Sequence, residues 1–313
     1  MNLQQLEYIV AVDKYRHFVK AAEHCFVTQA TLSMMIKKLE DELDLRVFDR
    51  SKQPVIPTEQ GLKIIEQAKV VLRESNRLKL LSSELKSEVK GELRVGIIPT
   101  LAPYLLPLFL PNFAKKYPEV KLHISEFNTD RILSELRRES LDVGIMATPL
   151  NAEGMMEWFL FREPFKVFLS EGQRNFKKRY ILPEELDVNK LWLLEEGHCF
   201  RSQVVNLCEL RRQHSLENNL FYEAGSIESL INIVEVNEGL TIVPALAAER
   251  FSAERKKGLR DFKSPVPVRE VSIVTWRHFI KTALLQALSE EIVQSVRPLL
   301  NEKSSGHKLV EIG

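Results

Sequence analysis

Apolar and polar positions alternate along the chain in three successive rhythms. In the first, Leu6, Ile9 and Val10 give an opening helix one apolar face. The stretch FVKAAEHCF follows, with Ala21 and Ala22 small enough for close helix packing. A third helix is predicted in VTQATLSMMIKKLEDEL. There Leu32, Ile36, Leu39 and Leu43 fall at successive spacings of four, three and four, which makes one inward stripe. Thr28 stands where such a helix needs its N-cap. At about 100° per residue, Ala30, Ser33, Met34 and Lys37 face the other way. RVFDRSKQPVIPT then predicts two short strands around a Ser-Lys-Gln-Pro turn.

The second rhythm covers residues 58–89 and predicts one long helix. Ile64, Ala68, Val71, Ser75, Leu78, Ser82, Leu85 and Val89 recur at alternating spacings of four and three, the pattern of a coiled-coil seam. A helix of about thirty residues reaches roughly 45 Å at 1.5 Å per residue. That exceeds what a small domain covers, so a dimer seam is favoured over packing on the helix's own domain.

The third rhythm begins at Gly91, where apolar runs of strand length alternate with helical spacing and argue an α/β domain. Strands are predicted at LRVGII, KLHISEF and DVGIMA, with helices near 101–115 and 130–138 between them. After a bridge come strands KVFLS and LWLL, a cysteine-bearing helix, strand LFYEA, helix SIESLINIVEVN, strands LTIVP and VSIVTW, and a helix from about 281. Ligands in open α/β sheets bind beyond the carboxyl ends of the strands. Thr100 follows the first strand, Thr129 opens the helix after the second, and Arg277 ends a late strand. The alternative makes the threonines simple caps and Arg277 a surface residue. The polar end NEKSSGHKLVEIG is expected to be mobile.

Composition changes this picture in few places. The 313 residues carry a net charge of +1, so any surface for nucleic acid must be a local patch. The first residues lack a signal-peptide pattern and no apolar run is long enough for a bilayer, so a cytoplasmic protein with reduced thiols is expected. Helix, helix-turn-helix and basic-tipped hairpin together predict a winged helix-turn-helix. Gln29, Thr31 and Ser33 are short or polar at the start of its third helix, as a reader of base edges requires. Gln29 suits adenine and Met34 a thymine methyl, while Lys37, Lys38, Arg50 and Lys52 suit phosphates. A small packing module that only meets water is the alternative.

GHCFRSQVVNLCEL, residues 197–210, holds two of the three cysteines nine positions apart. That separation fits neither a usual zinc pair nor Cys-x-x-Cys. On a helix, Cys199 falls near the N-terminus, where the dipole favours a thiolate; Arg201 and Arg277 would add positive charge and His198 a hydrogen bond. Cys208 would lie about 13.5 Å along the axis, on roughly the opposite face. A disulfide needs Cα atoms within about 7 Å, so pairing requires the segment to unfold. The residues alone leave three readings open. The thiols are two small hydrophobes, a redox pair, or part of a metal site with His198 and His214 that lacks the usual ligand spacing.

AAEHCFVTQATLSMMIKKLEDELDLRVFDR closely resembles the DNA-binding signature of LysR-type transcriptional regulators. Ala30 replaces the usual proline, and Asp44 the usual glycine at a position where left-handed backbone is often wanted. GIIPTLAPYLLP, LEEGHCFRSQVVNLC and SIESLINIVEVNEGLTIVPALA are similar to stretches of that family's peroxide-sensing group. The resemblance implies a winged helix-turn-helix over 1–58 and a dimerising linker helix over 59–89. It implies a two-lobed, periplasmic-binding-protein-like regulatory domain over 90–301, with lobe I at 90–163 and 268–301, lobe II at 164–267, and a tail at 302–313.

The same resemblance makes Cys199 the thiol that meets peroxide and Cys208 the thiol that resolves it, with Thr100, Thr129, His198 and Arg277 around the oxidant. Ser202 departs from an acidic residue found in some relatives, and Cys25 matches no redox position and reads as core. Double-stranded DNA, further copies of the chain as a dimer or tetramer, RNA polymerase, and thioredoxin- or glutaredoxin-type reductants are the implied partners. No metal or cofactor is implied; hydrogen peroxide is the sensed ligand, and the output is activation of oxidative-stress genes without enzymatic turnover. Two other readings stand beside it. One is a regulator that senses an organic metabolite with inert cysteines. The other is a thiol peroxidase, which leaves the DNA-binding half unexplained.

Overall fold

The computed structural model describes residues 1–84, 89–150, 152–173, 180–187, 190–195, 199–208, 224–277, 279–300, 306–310 and 312. The chain forms two compact units, Met1–Ser87 and Glu88–Gly313.

In the first unit, α1 (Leu3–Tyr15) opens on a reciprocal cap. The Asn2 side chain accepts the Gln5 N–H and the Gln5 side chain accepts the Asn2 N–H, both at 2.9 Å. Next come α2 (Phe18–His24) and α3 (Gln29–Glu42), the latter capped where Thr28 Oγ1 accepts the Thr31 N–H at 3.2 Å. The stripe of Leu32, Ile36 and Leu39 is fully buried in one core with Leu6, Ile9, Val12 and Ala21. Asp44 takes φ 51°, the left-handed backbone expected there. Strands β1 (Phe48–Asp49) and β2 (Ile56–Pro57) pair antiparallel as the wing.

Helix α4 (Glu59–Glu84) rises from the wing. Gly61 lets it sit there, because a Cβ would lie 2.0 Å from the Val47 carbonyl oxygen. The expected seam divides. Of its residues, Ala68 is buried and Ile64 half-buried in this unit's own core, beside Ile65 and Leu72 from off the seam, and Lys69 reaches Asp13 of α1 at 3.3 Å. Farther along, Leu78 is 71% exposed. Val89 lies outside the helix, and Leu85 falls outside the described residues.

The second unit opens with β3 (Gly91–Ile97), α5 (Ala102–Lys116), β4 (Val120–Glu126), α6 (Thr129–Arg137) and β5 (Val143–Thr148). The three strands are parallel, with β3 between the other two. Gly144 keeps α6 close to the sheet, since a Cβ there would meet Ile132 at 2.6 Å. The chain continues through β6 (Met155–Leu169), β7 (Tyr180–Ile181), α7 (Cys199–Leu207), α8 (Ile227–Val236), β8 (Leu240–Pro244), α9 (Ala245–Glu249) and α10 (Ala253–Lys256). It closes with β9 (Leu259–Phe262), β10 (Val266–Trp276), α11 (Thr282–Val296) and β11 (His307–Leu309).

Strand order is β4-β3-β5-β10-β6-β9-β7, with β8 on β6 and β11 on β10. β6 changes partners along its length. It pairs with β10 from Met155 to Pro164, then with β8 from Phe165 to Leu169. Two long antiparallel strands, β6 and β10, thus carry the chain between two lobes of one domain.

Sequence reading found most of these elements and missed others. The expected bridge before KVFLS is the first half of β6, and β9 carries no apolar run of strand length. LWLL makes only isolated bridges, Leu191 with Leu240 and Leu194 with Ala224. Residues 220–223 of LFYEA lie outside the described residues. The end of the chain corrects the expectation of a mobile tail. β11 pairs in parallel with Val266–Val268, and Val310 is buried. Its apolar side chain belongs to the same core as the sheet, which the polar residues around it hide in the sequence.

Candidate functional site: a buried thiol and a nucleic-acid interface

In the first unit, the start of α3 is open to solvent on the side away from its stripe. Gln29, Lys37 and Lys38 are exposed, and Met34 is 63% exposed. The Thr31 hydroxyl bonds that of Thr28 at 2.8 Å and is half-buried. Arg50, expected to hold a phosphate, is engaged inside the unit. Its Nη1 donates to Ser33 Oγ at 3.1 Å and its Nη2 to Glu40 Oε2 at 2.9 Å, and it stacks 5.1 Å from the Phe18 ring. Glu40 Oε1 in turn accepts the Val47 N–H at 2.8 Å. Arg50 and Glu40 therefore fix the wing to α3. Lys52 is exposed on the wing. Together with Gln29 and Ser33 it lines a groove of about 620 Å³ that also takes in Arg16, His17 and Lys20. Those last three were missed by the sequence reading; the basic cluster RHFVK at the start of α2 was the available signal. A groove with this charge, flanked by small polar side chains, suits a phosphate backbone beside base edges.

In the second unit, Cys199 is the first residue of α7 and is 7% exposed. Its thiol lies where the lobes meet. Thr129 from the start of α6, Ala147 from the end of β5, the Phe200 backbone and the Arg269 guanidinium all act on it. Burial pushes the Cys199 thiol above its ordinary range. The charge of Arg269, the Thr129 hydroxyl and the backbone of Phe200 and Ala147 pull the other way without overcoming it. The helix N-terminus, with charge from Arg201 and Arg277 and a hydrogen bond from His198, is expected from sequence to favour a thiolate; desolvation outweighs the groups that face the thiol here. The Thr129 hydroxyl is buried with no oxygen or nitrogen partner among the described residues, and it faces the thiol.

Arg269 is fully buried and organises the pocket. Its Nη1 donates to Thr100 Oγ1 at 3.0 Å and its Nη2 to the Thr100 carbonyl at 3.3 Å. Nε and Nη2 both donate to Glu163 Oε2, at 2.9 and 2.7 Å. Glu163, also fully buried, accepts the Leu246 N–H at 2.8 Å through its other oxygen. The Arg269 guanidinium sits 5.3 Å from the Phe200 ring. Thr100, Thr129 and Cys199 are thus brought together.

Arg277 is not part of this group, which corrects the sequence reading. β10 runs antiparallel to β5, so its later residues lie at the opposite end of the sheet. Glu270 pairs with Thr148 at the end of β5, and Val274 with Gly144 near its start. Eight residues beyond Arg269, Arg277 stands about 26 Å away at 3.3 Å per residue. There it is exposed, its N–H on the Gly154 carbonyl at 3.0 Å and its guanidinium against Trp276. Arg201 also turns elsewhere and donates to the Leu194 carbonyl at 2.6 Å. His198 and His214 lie outside the described residues.

Cys208 directly follows α7, and its N–H still bonds the Val204 carbonyl at 3.1 Å. It is half-buried, and burial pushes its thiol up to about 11. Both thiols are free, and helix geometry sets them about 13.5 Å apart along the axis. Cys25 packs against the core of the first unit, where burial raises its pKa as well. Among the described residues no three metal-ligating side chains converge, and no helix is long and apolar enough to cross a membrane.

A winged helix-turn-helix unit together with a two-lobed α/β unit whose lobes meet at a buried thiol defines a class of ligand-responsive DNA-binding regulator. The comparisons agree with it. Residues 3–62 match the bacterial regulatory helix-turn-helix protein model of the lysR family, and residues 86–297 match the LysR substrate binding domain. The chain belongs to the LysR family.

Within that family it is similar to the hydrogen peroxide-inducible genes activator of Dickeya chrysanthemi, 34% identical over 297 residues that cover 95% of each chain. A solved full-length OxyR from Pseudomonas aeruginosa, with one cysteine changed to aspartate, superposes with a TM-score of 0.70 at 33% identity. It covers 94% of this chain and 98% of its own. A hydrogen-peroxide-bound cysteine mutant of OxyR from Corynebacterium glutamicum superposes with a TM-score of 0.63 at 27% identity, covering 100% of this chain and 98% of its own.

Proposed function

We propose that the protein is a transcriptional regulator that senses hydrogen peroxide through a reversible disulfide between Cys199 and Cys208. The carrying observation is the site itself: a buried thiol between two lobes, beside a guanidinium and a hydroxyl with no oxygen or nitrogen partner among the described residues, with a second free thiol at the far end of the same helix. The likeness to peroxide-inducible activators and to a peroxide-bound OxyR supports the same reading.

Peroxide is small and polar enough to meet the buried Thr129 hydroxyl beside Cys199. The Cys199 thiolate attacks one peroxide oxygen, the O–O bond breaks, and hydroxide leaves with the proton of the thiol to give water. Cys199 is then a sulfenic acid. The Cys208 thiol attacks that sulfur, and a second water leaves as the disulfide forms. Thioredoxin- or glutaredoxin-type dithiols reverse it. Each chain responds once per oxidation, which is sensing and not enzymatic turnover, and needs no metal or cofactor.

Output lies in the first unit. Gln29, Thr31, Ser33 and Met34 read base edges of double-stranded DNA, while Lys37, Lys38 and Lys52 hold phosphates. Dimers form through the outer part of α4 and pair into tetramers whose placement on DNA recruits RNA polymerase at oxidative-stress genes in the cytoplasm.

Footprinting of the reduced protein before and after a small dose of peroxide tests this. The footprint is expected to change length or spacing, with stoichiometric loss of peroxide, and to return when a dithiol is added. Sustained peroxide turnover would instead indicate a thiol peroxidase. Indifference to peroxide together with binding of an organic acid would indicate a metabolite sensor.

A further inference from the structure

The folded α7 forbids the second chemical step, since its two thiols sit at opposite ends of a regular helix. What holds that helix in place therefore governs the step. One side chain of the helix itself ties it to the far end of the chain. Gln203 lies four residues after Cys199, one turn along the same face, and is fully buried. Its Nε2 donates to the Val310 carbonyl at 3.0 Å, while its Oε1 has no partner among the described residues.

Val310 belongs to a strap fastened to the sheet. Residues His307, Lys308 and Leu309 pair with Val266, Pro267 and Val268. The Gly306 carbonyl accepts the Val266 N–H at 2.7 Å, and the Val310 N–H donates to the Val268 carbonyl at 2.9 Å. Val268 immediately precedes Arg269, the cation of the thiol pocket. The strap thus ties the helix that carries Cys199 to the strand that carries its counter-charge.

We propose that residues 306–310, acting through Gln203, form a latch on α7 that sets the rate at which oxidised Cys199 reaches Cys208. Gln203 is a positioning residue in this account, and its amide hydrogen-bonds neither thiol. The inference rests on the peroxide reading and deepens it. Sulfenic acid forms while the latch is closed. Condensation with Cys208, which expels water, needs the first turns of α7 to unwind. Gln203 then leaves the Val310 carbonyl, and a buried amide left unbonded is costly, so the strap must loosen as well.

The test separates the two steps in the full chain. Sulfenic acid formation is followed with a dimedone-type trap, and disulfide closure by thiol loss after rapid quenching. Gln203→Met keeps the side chain's length and removes its donor; a chain ending at residue 305 removes the strap. Both are expected to form sulfenic acid at nearly the parent rate and to close the disulfide about tenfold faster, the scale of one lost buried hydrogen bond.

Closure at the parent rate in Gln203→Met would overturn the latch, as would an equal change in both steps. Should the shortened chain fail to fold, hydrogen exchange on the unaltered protein decides. The amides of residues 307–310 should lose protection when the disulfide forms and keep it in oxidised Cys208→Ser. Protection retained in the disulfide form contradicts the proposal. Absence of any sulfenic acid in the parent chain would instead refute the peroxide reading beneath it.

Discussion

Arg269 brings a positive charge to a thiol that its surroundings otherwise keep protonated. A lone buried guanidinium is untenable, and Glu163 from the facing strand makes it tolerable. Arg269→Gln is expected to slow oxidation of Cys199 and, by stranding the Glu163 carboxylate, to destabilise the second unit by about 3–5 kcal/mol. Arg277→Gln should leave oxidation unchanged; stopped-flow rates and thermal melting of the two variants check this. The raised Cys199 pKa carries a sign that can also be measured. Below that pKa the thiolate is the minor form and grows about tenfold per pH unit, so the oxidation rate should climb steadily with pH through the neutral range. A flat profile would mean that the thiol is already ionised. Thr100 and Thr129 were legible in the sequence because strand ends are where such sites form. Arg269 was not, because it stood just before the predicted start of its strand and its partner lies 106 residues away. An adjacent Arg-Glu pair inside each of two apolar strand runs, LFREPF and VPVREV, was the readable trace of the buried pair.

At the scale of elements, the stripe on α3 and the left-handed Asp44 follow directly from local pattern, and they place the recognition helix. The wing is different. Its basic residues look alike in sequence but are divided by one buried carboxylate: Glu40 takes Arg50 and leaves Lys52 outward. Lys52→Ala is therefore expected to weaken binding to all DNA alike and to lower the slope of log affinity against log salt by about 0.9, with no loss of stability. Arg50→Ala should lower the melting temperature of the unit before it alters that slope. Titrations at several salt concentrations, beside melting curves, separate the two. The strap at 306–310 escaped sequence reading because three residues of strand in a polar segment carry no periodicity to recognise. Its pairing is a long-range event, made by β10 and by a glutamine on α7.

For the molecule as a whole, α4 carries a seam that is partly consumed by its own unit. Ala68 is covered and Ile64 half-buried, while Leu78 is 71% exposed, as a residue awaiting a second copy would be. Leu78→Asp is expected to shift the dimer toward monomer and to weaken operator binding more than binding of a single half-site. Sedimentation velocity over a concentration series measures the first effect. The central claim concerns the two thiols of α7, which the reduced fold keeps about 13.5 Å apart. Peptide mapping under non-reducing conditions, after a dose of peroxide just sufficient to change the DNA footprint, tests it most directly. The account predicts a Cys199–Cys208 disulfide within one chain, with Cys25 still free. A footprint that changes while Cys199 and Cys208 remain unpaired, or a disulfide that includes Cys25, would contradict it.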